Sequence, residues 1–112
     1  MAHELVELLL PDGTSPFARW FAFLDAVAAA KVRVALSRME GGNLSAVKWF
    51  RGIGECRIDW GPGYRIYLAR DGQTLILLLG GGTKSRLQKD IDAALAAWEQ
   101  YKRRKTLQKR GI

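Results

Sequence analysis

The chain has 112 residues, 48% of them hydrophobic and 26% charged, which is enough for one modest hydrophobic core but not for two domains. Its net charge of +7 favours a polyanionic or acidic partner, while one cysteine and one histidine exclude an internal disulfide and argue against thiolate-zinc sites and histidine-dependent triads. No apolar run approaches the roughly 18 residues that cross a bilayer, so we expect a cytoplasmic protein that does not bind membranes. We expect a single domain over 1–112, without metal or cofactor, whose basic end, 106–112, is disordered.

The N-terminal part of the chain predicts a strand followed by two helices. The apolar run Leu5–Leu10 ends at a Pro-Asp-Gly turn, which is typical of a strand. Ser15 and Pro16 suit the N-cap and first position of a helix whose apolar residues recur at helical spacing as far as Ala28. A second helix is predicted over 31–39, ending at a Gly-Gly-Asn segment that tolerates a left-handed C-cap. The two helices predict an N-terminal helical hairpin.

The segment Val47–Gly82 predicts an antiparallel meander, because its apolar period changes to two. A Gly-Pro-Gly segment predicts a three-residue hairpin loop whose register sets Asp59 opposite Arg65. The same register sets Arg57 opposite Tyr67. The polar face of this hairpin is therefore expected to group two arginines with a phenol.

The last strand and the C-terminal helix complete the predicted fold. An Asp-Gly pair predicts a two-residue hairpin that sets Leu68 opposite Leu75, and Thr74–Leu79 is apolar on both sides, as expected of an interior strand. Ser85 is predicted to cap a final helix that ends in a basic segment. The order β-α-α-β-β-β-β-α predicts an α+β fold with a mainly antiparallel sheet, an N-terminal helical hairpin and a C-terminal helix.

The candidate functional residues are basic side chains on and beside the meander. Arginine binds phosphate oxygens bidentately, and RNA can be cleaved without a metal when its 2′-hydroxyl attacks the adjacent phosphate. We expect Arg57 and Arg65 to bind that phosphate. Tyr67 or Lys84 is expected to transfer protons. The residues expected to bind RNA are Lys48, Arg51, Arg70 and Arg86.

An ordinary structural role for these charges is the alternative. A cross-strand ion pair of Asp59 with Arg65, or an ion pair of Glu55 with Arg57 along one strand, would contribute only about a few tenths of a kcal/mol. The basic residues of 101–112 are equally consistent with a solvated helix end. Three glycines before the last helix resemble a phosphate-binding loop, but the lysine-serine spacing of a P-loop is absent.

Several short segments, taken together, resemble those of a known family. They lie between residues 14 and 101 and are Pro16-Phe17 ahead of Trp20 and Leu24, Gly42-Asn43 ahead of Val47-Lys48, Glu55–Ile58, Gly61–Tyr67, and Leu78–Ser85 with Gln88–Ile91. They look like the RelE/ParE superfamily of type II toxin–antitoxin modules, and within it the HigB-like, phage-derived killer-protein branch. That family's fold has the element order predicted above.

The resemblance implies a ribosome-dependent endoribonuclease, an mRNA interferase that inhibits growth. It also implies silencing by a cognate helix-turn-helix, HigA-like antitoxin, with a possible higher-order complex on operator DNA. By position in the family motifs, Arg57, Arg65 and Lys84 correspond to functional basic residues. Several family nucleases use a tyrosine or histidine near the C-terminus, where this chain has Tyr101 in a predicted helix. Two alternatives stay open: inhibition of DNA gyrase, as in members that lack the catalytic set, and a non-toxic interaction module.

Overall fold

The computed structural model describes residues 2–109, which form a five-stranded mixed sheet with three helices. The elements are β1 (Glu4–Glu7), α1 (Pro16–Ala22), α2 (Ala26–Glu40), β2 (Val47–Phe50), β3 (Ile53–Ile58), β4 (Tyr64–Asp71), β5 (Leu75–Thr83), one 3₁₀ turn (Lys84–Arg86) and α3 (Leu87–Lys109). The predicted order β-α-α-β-β-β-β-α is confirmed. Between residues 2 and 109, no helix combines the length and apolar character needed to cross a membrane.

The sheet is covered on both faces. Its strand order is β1-β5-β4-β3-β2, with β1 parallel to β5 and the other neighbours antiparallel. One core packs α1 and α2 on the sheet through residues such as Phe17, Val32 and Ile66. The second packs α3 on the other face against Tyr67 and Leu77. The interior position predicted for β5 is confirmed, and its double coverage explains why both of its faces are apolar.

The first hairpin has a longer loop than predicted. Its loop has five residues, because Trp60 and Gly63 donate backbone hydrogen bonds within the loop, at 2.9 and 3.0 Å, instead of across the strands. Arg57 therefore lies opposite Arg65, and its predicted pairing with Tyr67 is wrong. Because a register shift of two residues leaves each side chain on its predicted face of the sheet, Arg57 and Arg65 still lie together on one face.

The register of the second hairpin, between β4 and β5, differs from the predicted register by an odd number of residues. Leu68 lies opposite Leu78 and not opposite Leu75, because the loop has three residues and begins after Asp71. A bulge between Tyr67 and Leu68 shifts the register of the rest of the hairpin by one further residue. Leu77 consequently faces α3, the reverse of the predicted face. The apolar pattern of β5 could not reveal this shift, because both of its faces are buried.

Capping side chains determine where α1 and α2 begin. Ser15 caps α1 as predicted, its hydroxyl accepting a hydrogen bond from the Ala18 N–H at 3.0 Å. The chain then breaks earlier than predicted, because Asp25 caps a separate α2 by accepting from a backbone N–H at 2.8 Å. Ser85 does not cap α3, since it lies inside the 3₁₀ turn. At the start of the chain, β1 is also shorter than predicted, because Leu10 bonds back to a turn instead of to the sheet.

The C-terminal part of α3 is tied to the sheet. Asp71 accepts hydrogen bonds from the Tyr101 hydroxyl at 2.7 Å and from Lys105 Nζ at 2.6 Å. Arg104 donates to a backbone carbonyl that follows β1, at 2.9 Å. Residues 106–109, predicted to be disordered, are helical, and the rest of the predicted tail lies outside the described residues. Part of the basic segment therefore has a structural role.

Candidate functional site

A polar cleft of about 420 Å³ lies at the end of the sheet, between the β3–β4 loop and the 3₁₀ turn. Its charged lining comprises Arg57, Asp59, Arg65 and Lys84. Arg57 comes from β3, Arg65 from β4 and Lys84 from the turn before α3. Three of the four predicted catalytic residues therefore line one cleft, although they are separated along the chain.

Arg65 is held in place on the floor of this cleft and is only 6% exposed. Its Nη1 donates to the carbonyl oxygen of Gly63 at 2.9 Å, and its Nε lies 3.5 Å from Oε2 of Glu55. The Gly63 carbonyl also accepts from the backbone N–H of Lys84 at 3.1 Å. Gly63 has a φ of 78°, which favours glycine, and a Cβ there would lie 3.5 Å from Arg65 Nη1. The loop thus fixes both basic residues relative to each other.

Glu55 lies between the two arginines and is buried. Its Oε1 is 3.4 Å from Nε of Arg57, and its other oxygen faces Arg65. Two like charges directly opposite each other on neighbouring strands repel, so the carboxylate offsets the repulsion between the paired arginines. The Arg57 side chain is nevertheless 58% exposed, which leaves its guanidinium accessible to a ligand.

Tyr67 is fully buried beneath α3 and does not line the cleft. Within residues 2–109 its hydroxyl finds no hydrogen-bond partner. Burial, with smaller effects from Glu55 and Asp90, raises the pKa of this phenol to about 12. Tyr67 lies on the predicted side of the sheet, the side that carries Arg57 and Arg65. Because α3 covers this side at Tyr67, the hydroxyl cannot exchange a proton with a molecule in the cleft.

Asp90 was not among the predicted site residues, yet it lies next to this face. Its carboxylate packs on Gly82, where a Cβ would overlap it, and Gly82 lies opposite Arg65. One carboxylate oxygen is buried with no partner in the described part of the chain, and burial raises the pKa of Asp90. A glycine in an interior strand marks a close approach, and that signal could have identified this contact from the sequence.

Asp59 is the second charged residue that sequence reasoning misjudged. Its predicted ion pair with Arg65 is absent from the described residues, because Asp59 lies in the loop and Glu55 faces Arg65 instead. Asp59 is exposed and is the one carboxylate among the described residues that line the cleft. A carboxylate beside bound phosphate can accept a proton from a hydroxyl group.

The four residues predicted to bind RNA are spread over the molecule. Lys48 lies on the edge strand β2, and Arg86 lies in the 3₁₀ turn. Arg51 lies in the β2–β3 turn with a φ of 52°, at the opposite end of the sheet from the cleft. Arg70 is also at that end, about 16 Å along β4 from Arg65 at roughly 3.3 Å per residue, and donates to a carbonyl of the next loop. None of these four residues lines the cleft.

An apolar groove of about 690 Å³ lies between α1, α3 and the end of β5. Trp20 packs directly on Gly81, which has no space for a side chain. Phe23 lines the groove and is 87% exposed, while Arg19 and Arg86 line its charged part. Exposed aromatic surface of this kind is typical of protein-binding sites.

Comparison with known proteins finds a relative in Haemophilus influenzae that is described as an uncharacterized protein. The two chains are 41% identical over 83 residues, which is 72% of this chain and 84% of the relative. No family model matches the chain, and no solved structure matches it.

Proposed function

We propose that this chain, which belongs to the same family as the Haemophilus influenzae protein, is a RelE/ParE-like, HigB-like toxin that cleaves mRNA on the ribosome without a metal ion. The observation that carries the proposal is the convergence of Arg57, Arg65 and Lys84 on one polar cleft. Cations are required where negative charge develops on a phosphate under attack. The α+β element order also agrees with the fold expected for this superfamily.

In the proposed reaction, a 2′-hydroxyl attacks the adjacent phosphorus, the bond to the 5′-oxygen breaks, and a cyclic phosphate and a 5′-hydroxyl result. Arg65, already fixed by Glu55 and a backbone carbonyl, supplies preorganised positive charge. Exposed Arg57 binds a phosphate oxygen. Asp59 accepts the proton of the attacking hydroxyl, and Lys84 donates a proton to the leaving oxygen. Asp59 takes the role first expected of Tyr67, because Tyr67 is buried away from the cleft.

The proposed partner is a cognate antitoxin of the helix-turn-helix, HigA-like type, acting in the cytoplasm where the mRNA is. An antitoxin with acidic segments would complement a chain of net charge +7 and would associate with it rapidly. A higher-order complex on operator DNA belongs to the same proposal. An adjacent reading frame that encodes such a protein would support it.

The test is growth inhibition by Arg57→Ala and Lys84→Ala variants. Both side chains are exposed, so their removal costs little stability, whereas Arg65→Ala would leave Glu55 buried without its partner and destabilise the fold. We expect each variant to lose toxicity and to cleave mRNA about 100-fold more slowly, because each loses a positive charge that contacts the phosphate or the leaving oxygen. Arg33→Ala, an exposed arginine on α2 outside the cleft, is the matched control and should stay toxic. Folded Arg57→Ala and Lys84→Ala variants with full toxicity would contradict the proposal.

A second candidate is a non-enzymatic toxin that binds DNA gyrase or another protein. The apolar groove with exposed Phe23 favours this candidate, because such a surface suits a protein partner better than a phosphate. Induction of the toxin separates the two. DNA-damage signalling with intact mRNA would favour the second candidate, and cleaved mRNA without such signalling would favour the first.

A further inference from the structure

A basic groove of about 440 Å³, separate from the apolar groove described above, lies between α2 and the strands β2 and β3 and adjoins the cleft. Arg57, Ile58 and Asp59 line both, so the groove and the cleft meet at the end of β3. A polymer bound in the cleft can therefore continue into this groove without leaving the surface.

The groove carries more positive than negative charge. Lys31 and Arg38 line it from α2, and Arg57 lines it from the strand side. Lys31 and Arg38 are seven residues apart, which is close to two helical turns, so they lie on one face of α2 about 10 Å apart. Asp59 is the one acidic residue in its described lining. This spacing along a helix suits a chain of phosphates better than a single anion.

These two cations are not neutralised by neighbours. Within the described part of the chain, neither Lys31 nor Arg38 forms an ion pair with a carboxylate. Lys31 Nζ lies 4.6 Å from the centroid of the Trp60 ring, and Trp60 lines the cleft with 43% of its surface exposed. An exposed aromatic ring beside a basic groove is the arrangement by which proteins bind unpaired bases.

We propose that this groove binds single-stranded RNA that extends from the cleft, with Lys31 and Arg38 contacting successive backbone phosphates. Trp60, at the junction, stacks on a base. The inference rests on the proposed function, because it assigns the binding path of the same substrate. The sequence pattern does not distinguish Lys31 and Arg38, because they are separated from the meander and lie on a helix that also carries Arg33 and Glu40.

The test is a binding titration with a fluorescent, single-stranded ten-nucleotide RNA whose riboses are 2′-O-methylated, so that no 2′-hydroxyl can attack. Each phosphate contact with a single strand contributes about 0.7 to the slope of log K against log salt concentration. The K31A/R38A double variant should therefore bind more weakly and have a slope smaller by about 1.4. Arg33→Ala, on the same helix but packed over Phe21, should keep the wild-type slope.

A methylated trinucleotide and a second variant complete the design. We expect the trinucleotide, which has only two phosphates, to occupy the cleft without reaching Lys31 and Arg38, so wild type and K31A/R38A should bind it equally. K31M/R38M keeps the aliphatic stems and should reproduce the loss of slope, with an unfolding midpoint equal to that of wild type. Equal slopes for wild type and both double variants, or preferential binding of a glutamate-rich peptide to the groove, would overturn the inference. If the wild type binds no RNA at all, the inference about the groove is wrong, whereas the proposed cleavage of mRNA on the ribosome is judged separately, by toxicity that depends on Arg57 and Lys84.

Discussion

At the scale of single residues, the site combines accessible charges with buried ones. Arg57 and Lys84 are exposed, whereas Arg65 is fixed by Glu55 and a loop carbonyl. The alternation of polar and apolar side chains was sufficient to predict which arginines share a face. It could not show that α3 covers Tyr67, because coverage depends on where a distant helix packs. Nor could it distinguish the true partner of Arg65 from Asp59, since a two-residue change in loop length preserves the face.

Tyr67→Phe gives a direct test of this arrangement. Because the hydroxyl is buried without a partner in the described residues, its removal should leave stability equal or raise it by about 1 kcal/mol. Toxicity should be unchanged, and the pH dependence of mRNA cleavage should show no limb from a tyrosine, since the pKa of this phenol is raised to about 12. Urea unfolding measures the stability, and an mRNA cleavage assay between pH 6 and roughly 10 measures the pH dependence. A folded Tyr67→Phe variant without activity would restore the phenol to a catalytic role.

At the scale of elements, the order of strands and helices was predictable, whereas the pairing of β5 was not. Capping by Ser15 and the glycine-rich turns set where elements begin and end, and these are local features. The loop before β5 begins after Asp71, whose carboxylate accepts hydrogen bonds from α3 side chains 30 and 34 positions further along the chain. An Asp-Gly pair is a strong turn signal, but here the carboxylate anchors a helix and the turn forms one residue later.

The Asp71 anchor predicts a pH-dependent contribution to stability. Hydrogen bonds from Lys105 and then from Tyr101 lower the pKa of Asp71 below its usual value of 3.8. A carboxylate with a lowered pKa stabilises the fold only when ionised, so the contribution is present at neutral pH and is lost as the pH falls through the lowered pKa. Asp71→Asn should lower the free energy of unfolding by about 1–2 kcal/mol at pH 7 and by less near pH 3, where the contribution of the ionised carboxylate is declining.

Urea unfolding at the two pH values checks the Asp71 prediction. Asp92→Asn, at an exposed position on α3, serves as the control and should change stability little at either pH. If Asp71→Asn lowers the free energy of unfolding equally at pH 7 and pH 3, ionisation of Asp71 does not contribute to its stabilising contacts with Tyr101 and Lys105.

At the scale of the whole molecule, the positive charge is concentrated at two ends. The cleft lies where α3 begins and the groove beside α2 adjoins it, whereas the basic C-terminal turns of α3 lie about 34 Å away along that 23-residue helix. In the sequence, basic residues are concentrated in the meander and in 101–112. Their separation could not be predicted, because it depends on the direction in which α3 crosses the sheet. Two separate basic ends are consistent with the proposed binding of mRNA on the ribosome.

The assignment of the cleft as a ribonuclease site can be tested by mapping the 5′ ends of mRNA bound to purified ribosomes after addition of the protein. Wild type and Arg33→Ala should generate new 5′-hydroxyl ends at discrete positions, because a 2′-hydroxyl attack leaves a hydroxyl on the downstream fragment. Folded Arg57→Ala and Lys84→Ala variants should generate them about 100-fold more slowly. Intact mRNA in the presence of a wild-type protein that arrests growth, or undiminished cleavage by both folded variants, would contradict the assignment of the cleft as a ribonuclease site.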